Sequence, residues 1–232
     1  MKKFITLITS ILIAFSFTKT VFADGHQVYG PYPITLKGYD GDKTNSVKYT
    51  GQMARHALHD SLKALVKSGD VAKMMAYYNG EDGLAIVAPA SKGDFVIKQT
   101  MVSEIGSGNL SGKMYKGYIP GWGNLTGPEA LEHMITKAGE VEGGFDPNTG
   151  MDYTQLISKF AMGAVFYNQA VNSYLGSKME IGQKPNSEPY KEGAYYTGKE
   201  HSWDEAFGYW GSAAHALTLS AEQNYNVAKK KD

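Results

Sequence analysis

Between Met151 and Gly176 apolar side chains stand almost all the way round a helical wheel: Tyr153, Leu156, Ile157, Phe160, Ala161, Ala164, Val165, Phe166, Tyr167, Val171 and Leu175. At 3.6 residues per turn such a segment has no face fit for water, so it belongs in the middle of a packed set of helices. Ala161, Gly163 and Ala164 would let a neighbouring backbone approach closely. A chain built on this segment has to supply further helices to surround it.

The rest of the sequence supplies them. Ala54, Leu58, Leu62 and Leu65 recur at helical spacing, predicting an amphipathic helix over 52–67 that stops at Ser68-Gly69. Asp70 is placed to cap a second, shorter helix over 71–78, ended by Asn79-Gly80. Pro128, with Glu129 and Glu132 in the first turn, opens another helix that closes near Gly139. A turn-rich acidic linker, 140–150, leads into the long apolar segment. A polar, Pro-containing loop over 177–197 separates that segment from a helix around 199–211 and a last one from about 212 to 229. Residues 24–50 and 81–127 are rich in Gly, Tyr and turn formers, with one β-like patch at Phe95-Val96-Ile97. The expected fold is therefore mostly α: a helical bundle around a central apolar helix, with irregular Gly/Tyr-rich loops and at most minor β.

The first residues narrow the compartment. Met1-Lys2-Lys3, an apolar run from Phe4 to Phe17 and a short polar stretch ending at Ala23 read as a secretory signal peptide cleaved after Ala23. The run is too short to span a hydrocarbon core of about 30 Å as a stable helix. Residues 24–232 are then a single helical domain, exported to the periplasm or the extracellular space and soluble. With no cysteine in the chain, disulfides, thiolate nucleophiles, cysteine zinc sites and an N-terminal lipid anchor are all excluded. After cleavage 20 basic residues face 23 acidic ones, a balance that argues against nucleic acid. No later run is long enough for a membrane span.

The densest chemistry lies in Lys199-Glu200-His201-Ser202-Trp203-Asp204-Glu205-Ala206-Phe207-Gly208-Tyr209-Trp210-Gly211. His201, Asp204, Glu205 and Gly208 share one helix face, and Trp203, Ala206, Phe207 and Trp210 share the opposite one. An imidazole with carboxylates three and four residues on can hold a cation or pass a proton, which makes His201, Asp204 and Glu205 candidate ligands for a divalent metal or iron. Gly208 leaves room for something close to the backbone. The competing reading is architectural: Glu200, Asp204 and Glu205 favour the helix N-terminus and bridge to neighbouring helices.

Polar groups on the long helix, Gln155, Lys159, Asn168, Gln169 and Asn172, either line the same interior site or form an internal hydrogen-bond network. Arg55 is placed to pair with Asp204 or Glu205, and Trp203 is a candidate ligand contact. His56, His59 and Asp60 resemble a metal cluster, but they lie off the apolar stripe of their helix, so a solvated surface is expected. Asp146 to Asp152 space their oxygens somewhat like a calcium loop, yet Ile157 stands where the closing Glu belongs, so a capped turn is expected. The chain has 16 tyrosines, and loops such as 115–122 could stack on a glycan or a protein partner. There is no phosphate loop, nucleophile elbow or His-Glu-x-x-His pattern.

Three stretches, 45–55 (Asn-Ser-Val-Lys-Tyr-Thr-Gly-Gln-Met-Ala-Arg), 153–170 (Tyr-Thr-Gln-Leu-Ile-Ser-Lys-Phe-Ala-Met-Gly-Ala-Val-Phe-Tyr-Asn-Gln-Ala) and 200–211 (Glu-His-Ser-Trp-Asp-Glu-Ala-Phe-Gly-Tyr-Trp-Gly), resemble in order the bacterial family called domain of unknown function 4856. The resemblance implies an exported, mostly helical protein whose family has no assigned activity and many lipoprotein-like members. Here the lipid-bearing cysteine is missing. Relatives continue with further helices beyond the last stretch, so this chain reads as C-terminally shortened, and apolar surface on 151–176 is then exposed or covered by a partner. A looser resemblance connects His201 and Asp204 with the imelysin-like, iron-linked periplasmic proteins, whose glycine before the His is Gly198 here, one position out of register.

Binding is thus the leading expectation: an exported protein holding a metal ion or small ligand at the His/Asp/Glu face. The alternative is a structural or interaction module that meets a glycan or an envelope protein through its aromatic loops. A hydrolase using His201 and Glu205 is the least supported reading.

Overall fold

The computed structural model describes residues 33–87, 99–211 and 219–228. The leader, the 95–97 patch and the start and last residue of the expected final helix lie outside them.

Helix α1 (Thr50–Leu65) runs on through a 3₁₀ turn (Val66–Ser68) and stops where Gly69 takes a left-handed conformation, φ 67°. Asp70 then caps α2 (Val71–Asn79): its carboxylate accepts the Lys73 N–H at 2.9 Å, and Gly80, φ 63°, ends the helix. Helix α3 (Gly127–Gly139) starts with a capping box in which Thr126 and Glu129 satisfy each other's backbone. A two-residue antiparallel ladder, β1 (Phe145–Asp146) with β2 (Met151–Asp152), closes over a turn held by Asp146, whose Oδ1 accepts from the Asn148 N–H and Oδ2 from the Thr149 hydroxyl. The calcium-like spacing is thus a self-satisfied turn. The Asp152 side chain caps α4 (Tyr153–Ala161), which passes directly into a π-helical segment (Met162–Tyr174). Helix α5 (Gly198–Trp210) has its own capping box, Thr197 with Glu200, and ends at left-handed Gly211. Helix α6 (Ala221–Ala228) follows. The architecture is mostly α with minor β.

The long segment departs from expectation in one respect. It is not enclosed on all sides: Met162, Tyr167, Val171 and Leu175 are exposed, Tyr167 by 61%. The helical wheel misplaced them because the backbone winds more widely here. In a π-helix hydrogen bonds close five residues apart, as where the Leu175 N–H donates to the Ala170 carbonyl at 2.9 Å. On this wider wheel Ala161, Ala164, Val165, Phe166, Ala170 and Tyr174 share the buried side, and Met162, Tyr167, Val171 and Leu175 fall together on the other. Gly163 has open space around it and admits no neighbour. The Ala164 carbonyl accepts the Tyr115 N–H at 2.7 Å and pins a loop to the segment.

Helix α1 is the more enclosed element, packed against α2, α4 and α5. Its stripe of Ala54, Leu58 and Leu62 is fully buried and meets Met74 and Tyr78 of α2, and Leu131, Met134 and Ile135 of α3, in one core. Each buried leucine contributes roughly 1.5–3 kcal/mol through the water it leaves behind. Among the described residues no helix is long and apolar enough to cross a membrane.

Candidate functional site

Helix α5 packs most extensively against the π-helical segment and also crosses α1. The crossing with α1 is close because of Gly208: a Cβ there would stand 2.8 Å from the Cβ atoms of both Gln52 and Tyr49. The room beside Gly208 is taken by α1 itself. That contact brings the two polar ends of α1 and α5 together.

Asp204 and Glu205, although adjacent, go to different places. Asp204 is 1% exposed and accepts the Lys48 N–H at 2.9 Å. Burial raises the Tyr49 hydroxyl pKa, and the charge of Asp204 adds to it. Glu205 accepts from Gln52 Nε2 at 2.8 Å through one oxygen, and its other oxygen lies 3.6 Å from His201 Nε2. Burial, and then the charge of Glu205, push the Tyr174 hydroxyl pKa strongly upward. His201 and Glu205 are therefore brought together, and Asp204 is not. Among the described residues no three His, Asp or Glu side chains gather as a metal-ligand set.

His201 sits between two tyrosine rings, Tyr190 at 4.8 Å and Tyr196 at 4.9 Å from its centroid. Its Nδ1 is buried without a hydrogen-bond partner. Burial lowers its pKa; Glu205 opposes that shift, while Lys48, Lys178 and Lys184 add to it.

Around Glu205 cations outnumber carboxylates. Tyr174 and Tyr209 lie side by side, centroids 5.5 Å apart. Lys178 stands 3.4 Å over the first ring and the Arg55 guanidinium 5.7 Å over the second. Burial lowers the Lys178 amine to about 8, despite the opposing pull of Glu205 and with Lys113 and Lys184 adding to the depression. Lys113 is lowered too, by burial and then by Arg55, with Glu205 opposing. The Tyr209 hydroxyl is a second buried group with no partner. Two contacts hold the loops that carry the lysines: Gln169 Nε2 donates to the Lys113 carbonyl at 2.9 Å, and Lys199 Nζ donates to the carbonyls of Lys178 and Glu180 at 3.1 and 2.7 Å.

The sequence-derived candidates divide accordingly. Arg55 and Gln169 reach this cluster, though Arg55 pairs with neither Asp204 nor Glu205: its Nε donates to the Asn109 carbonyl at 3.0 Å. Gln155 and Lys159 are exposed elsewhere, Gln155 in a surface cleft with Asp60 and Lys63, Lys159 beside Met162. Trp203 is 45% exposed on another face of α5. His56 and His59 are not solvated. His56 Nε2 bonds the Gly208 carbonyl at 2.9 Å and its ring stacks on Phe166 at 4.3 Å; His59, 6% exposed, bonds the Ser158 carbonyl. His59 is buried and His56 half-buried because α1 packs against both α5 and α4, with Phe166 of the π-helical segment against both rings. Lys113, Lys178, Tyr174 and Tyr209 were not legible as site residues; an unpaired lysine beside tyrosines in a loop was the only local signal.

Fold and site define a mostly helical protein with a half-buried, cation-rich polar cluster where α1, α5 and the π-helical segment meet. Residues 130–229 match the model of the family described as Domain of unknown function (DUF4856), and the chain resembles that family. The match takes in two of the three resembling stretches, 153–170 and 200–211; the first, 45–55, precedes it. No curated protein and no solved structure matches the chain.

Proposed function

We propose that the chain is an exported binding protein that holds a small anionic ligand, a carboxylate or phosphate, beside His201 and Glu205. The leader over 1–23 directs it to the periplasm or the extracellular space, and residues 24–232 carry the site. The observation behind this reading is the excess of positive charge: Arg55, Lys113 and Lys178 stand near a single carboxylate, Glu205. Half-buried ammonium groups short of counter-charge cost free energy, seen in the depressed Lys178 and Lys113 amines. An anion placed among them repays that cost, and the unpartnered His201 Nδ1 and Tyr209 hydroxyl offer it hydrogen bonds. An anion fits better than the metal ion expected from His201, Asp204 and Glu205, since Asp204 is spent on the Lys48 amide.

A second reading is favoured by the bonds Gln52–Glu205 and Lys48–Asp204: the motif only ties α1 to α5. Thermal melts of the purified protein with citrate, phosphate and zinc separate the two. A ligand site predicts a melting temperature that climbs with citrate or phosphate by mass action and stops climbing in Lys178→Gln and Lys113→Gln. If no anion raises it while Glu205→Ala lowers it, the motif is architecture. Stabilisation by zinc that disappears in His201→Ala would restore the metal reading.

A further inference from the structure

The outward face of the π-helical segment borders a cleft of about 440 Å³, within the range of roughly 300–1,000 Å³ typical of small-molecule sites. Helix α1 contributes His56, Asp60 and Lys63, which share one of its faces at spacings of four and three residues. Of the aromatic residues around the cleft, Phe166 is buried with His56 stacked on its ring. Tyr167 of the π-helical segment and Trp210 at the end of α5 are different: they are 61% and 74% exposed. Among the described residues their side chains meet no other ring and no hydrogen-bonding partner. An indole and a phenol left open beside one cleft present apolar faces that a flat molecule covers by stacking.

Charge narrows the choice of molecule. Two lysines, Lys63 and Lys159, and one carboxylate, Asp60, border the cleft. Asp60 lies 3.5 Å from Nδ1 of His59, whose Nε2 bonds the Ser158 carbonyl. Among the described residues the Lys159 ammonium meets only the Met162 thioether, 3.9 Å away, a weak acceptor. Lys63 forms no ion pair among the described residues. The two ammonium groups repel a cationic ligand, and a wholly apolar one leaves both unanswered. An anionic group joined to an apolar plane uses the lysines and the open rings together. Stacking on an indole and a phenol favours an aromatic plane over an acyl chain.

We infer that this cleft binds a planar aromatic carboxylate of one or two rings, stacked on Trp210 and Tyr167 with its charge toward Lys63 and Lys159. The cleft shares only Tyr209 with the cluster around Glu205, and the inference does not rest on the anion reading given above. The test is titration calorimetry and saturation-transfer NMR on the full protein with 2-naphthoate at concentrations up to about 5 mM, with 2-naphthylmethanol as its uncharged counterpart. 2-Naphthoate should bind, about tenfold more weakly in Trp210→Ala and several-fold more weakly in Tyr167→Ala. Lys63→Gln combined with Lys159→Gln should weaken 2-naphthoate several-fold and leave the alcohol unchanged, and added salt should act in the same direction. Lys178→Gln should leave 2-naphthoate binding as it is. Because Trp210 and Tyr167 are exposed, their replacement leaves the melting temperature close to that of the parent; if either alanine variant fails to fold, the lysine pair decides. No binding of 2-naphthoate, equal affinity in the parent and the ring variants, or equal affinity for acid and alcohol overturns the inference. Loss of binding in Lys178→Gln would place the acid beside Glu205 and also overturn it. So would a concentration-dependent dimer, broken by Trp210→Ala, in a protein that leaves 2-naphthoate unbound: the face is then a contact between two copies of the chain.

Discussion

Gln52 donates to Glu205 across 2.8 Å, joining the first turn of α1 to the middle of α5 through one buried and one half-buried side chain. Glu205 also faces His201 at 3.6 Å, and its charge acts on the Tyr174 hydroxyl. Truncation to alanine therefore strands several groups at once. Glu205→Ala should cost about 1–3 kcal/mol, the range for leaving buried hydrogen-bonding groups unsatisfied, read as a lower urea midpoint. It should also drop the His201 pKa further, since Glu205 is what supports its imidazolium. An NMR titration in which His201 rises or stays unmoved would contradict this.

Acid should loosen the fold through two histidines. Burial holds the pKa of His56 and His201 below the ordinary 6.5. Each binds its proton less tightly folded than unfolded, so the stability it contributes is complete above 6.5. That contribution is lost as pH falls below 6.5 toward the folded values. Urea midpoints measured from about pH 7.5 down to about 5 should decline. His56→Phe keeps the stack on Phe166 but loses the bond to the Gly208 carbonyl; it should start lower and decline less steeply. A slope identical to the parent's would remove His56 from this account.

Two glycines on neighbouring elements should answer alanine in opposite ways. Gly208→Ala drives a methyl group to 2.8 Å from Gln52 and Tyr49, and overpacking of this kind costs about 1–3 kcal/mol. Gly163 is helical, with nothing within 4 Å of its absent Cβ. Alanine there should stabilise by about 0.5–1 kcal/mol because the unfolded chain loses freedom. Equal effects at the two sites in chemical denaturation would mean that α1 and α5 do not cross closely at Gly208.

Lys178, with its amine lowered to about 8, should be the most readily acylated lysine near pH 8. Peptide mass spectrometry after brief labelling measures this. Citrate or phosphate, if bound beside it, should slow the reaction by restoring the proton. Labelling no faster than at the exposed lysines would show that the amine is not poised.

Several elements were legible from local rules. The cap at Asp70, the helix opened by Pro128 and Glu129, the stops at Gly69 and Gly80, and the stripe Ala54, Leu58, Leu62, Leu65 each depend on residues a few positions apart, and each formed where its spacing placed it; the capping roles of Thr126 and Thr197 were not read from the sequence. The chemistry of the motif was visible too, but not its division: nothing local to Asp204 and Glu205 says that one takes the Lys48 amide and the other the Gln52 side chain. The burial of His56 and His59 escaped for a related reason. A helix packed on two sides keeps only a narrow solvated strip, here Asp60, Lys63 and Ala64, and its own sequence marks only the more apolar of its covered faces.

What the sequence determined by itself is the helical order, the capping and the concentration of polar chemistry in 199–211, because those follow from backbone donors and side chains within a turn or two of one another. Only the tertiary structure decided the rest. The wider winding of residues 162–174, which pack against α5, turned Met162, Tyr167, Val171 and Leu175 outward. The crossing at Gly208 brought Gln52 to Glu205 and set Arg55 beside Tyr209. Lys113 and Lys178 joined the same charge from loops distant in sequence. Electrostatic and packing energies depend on distance through space, and distance along the chain does not encode it.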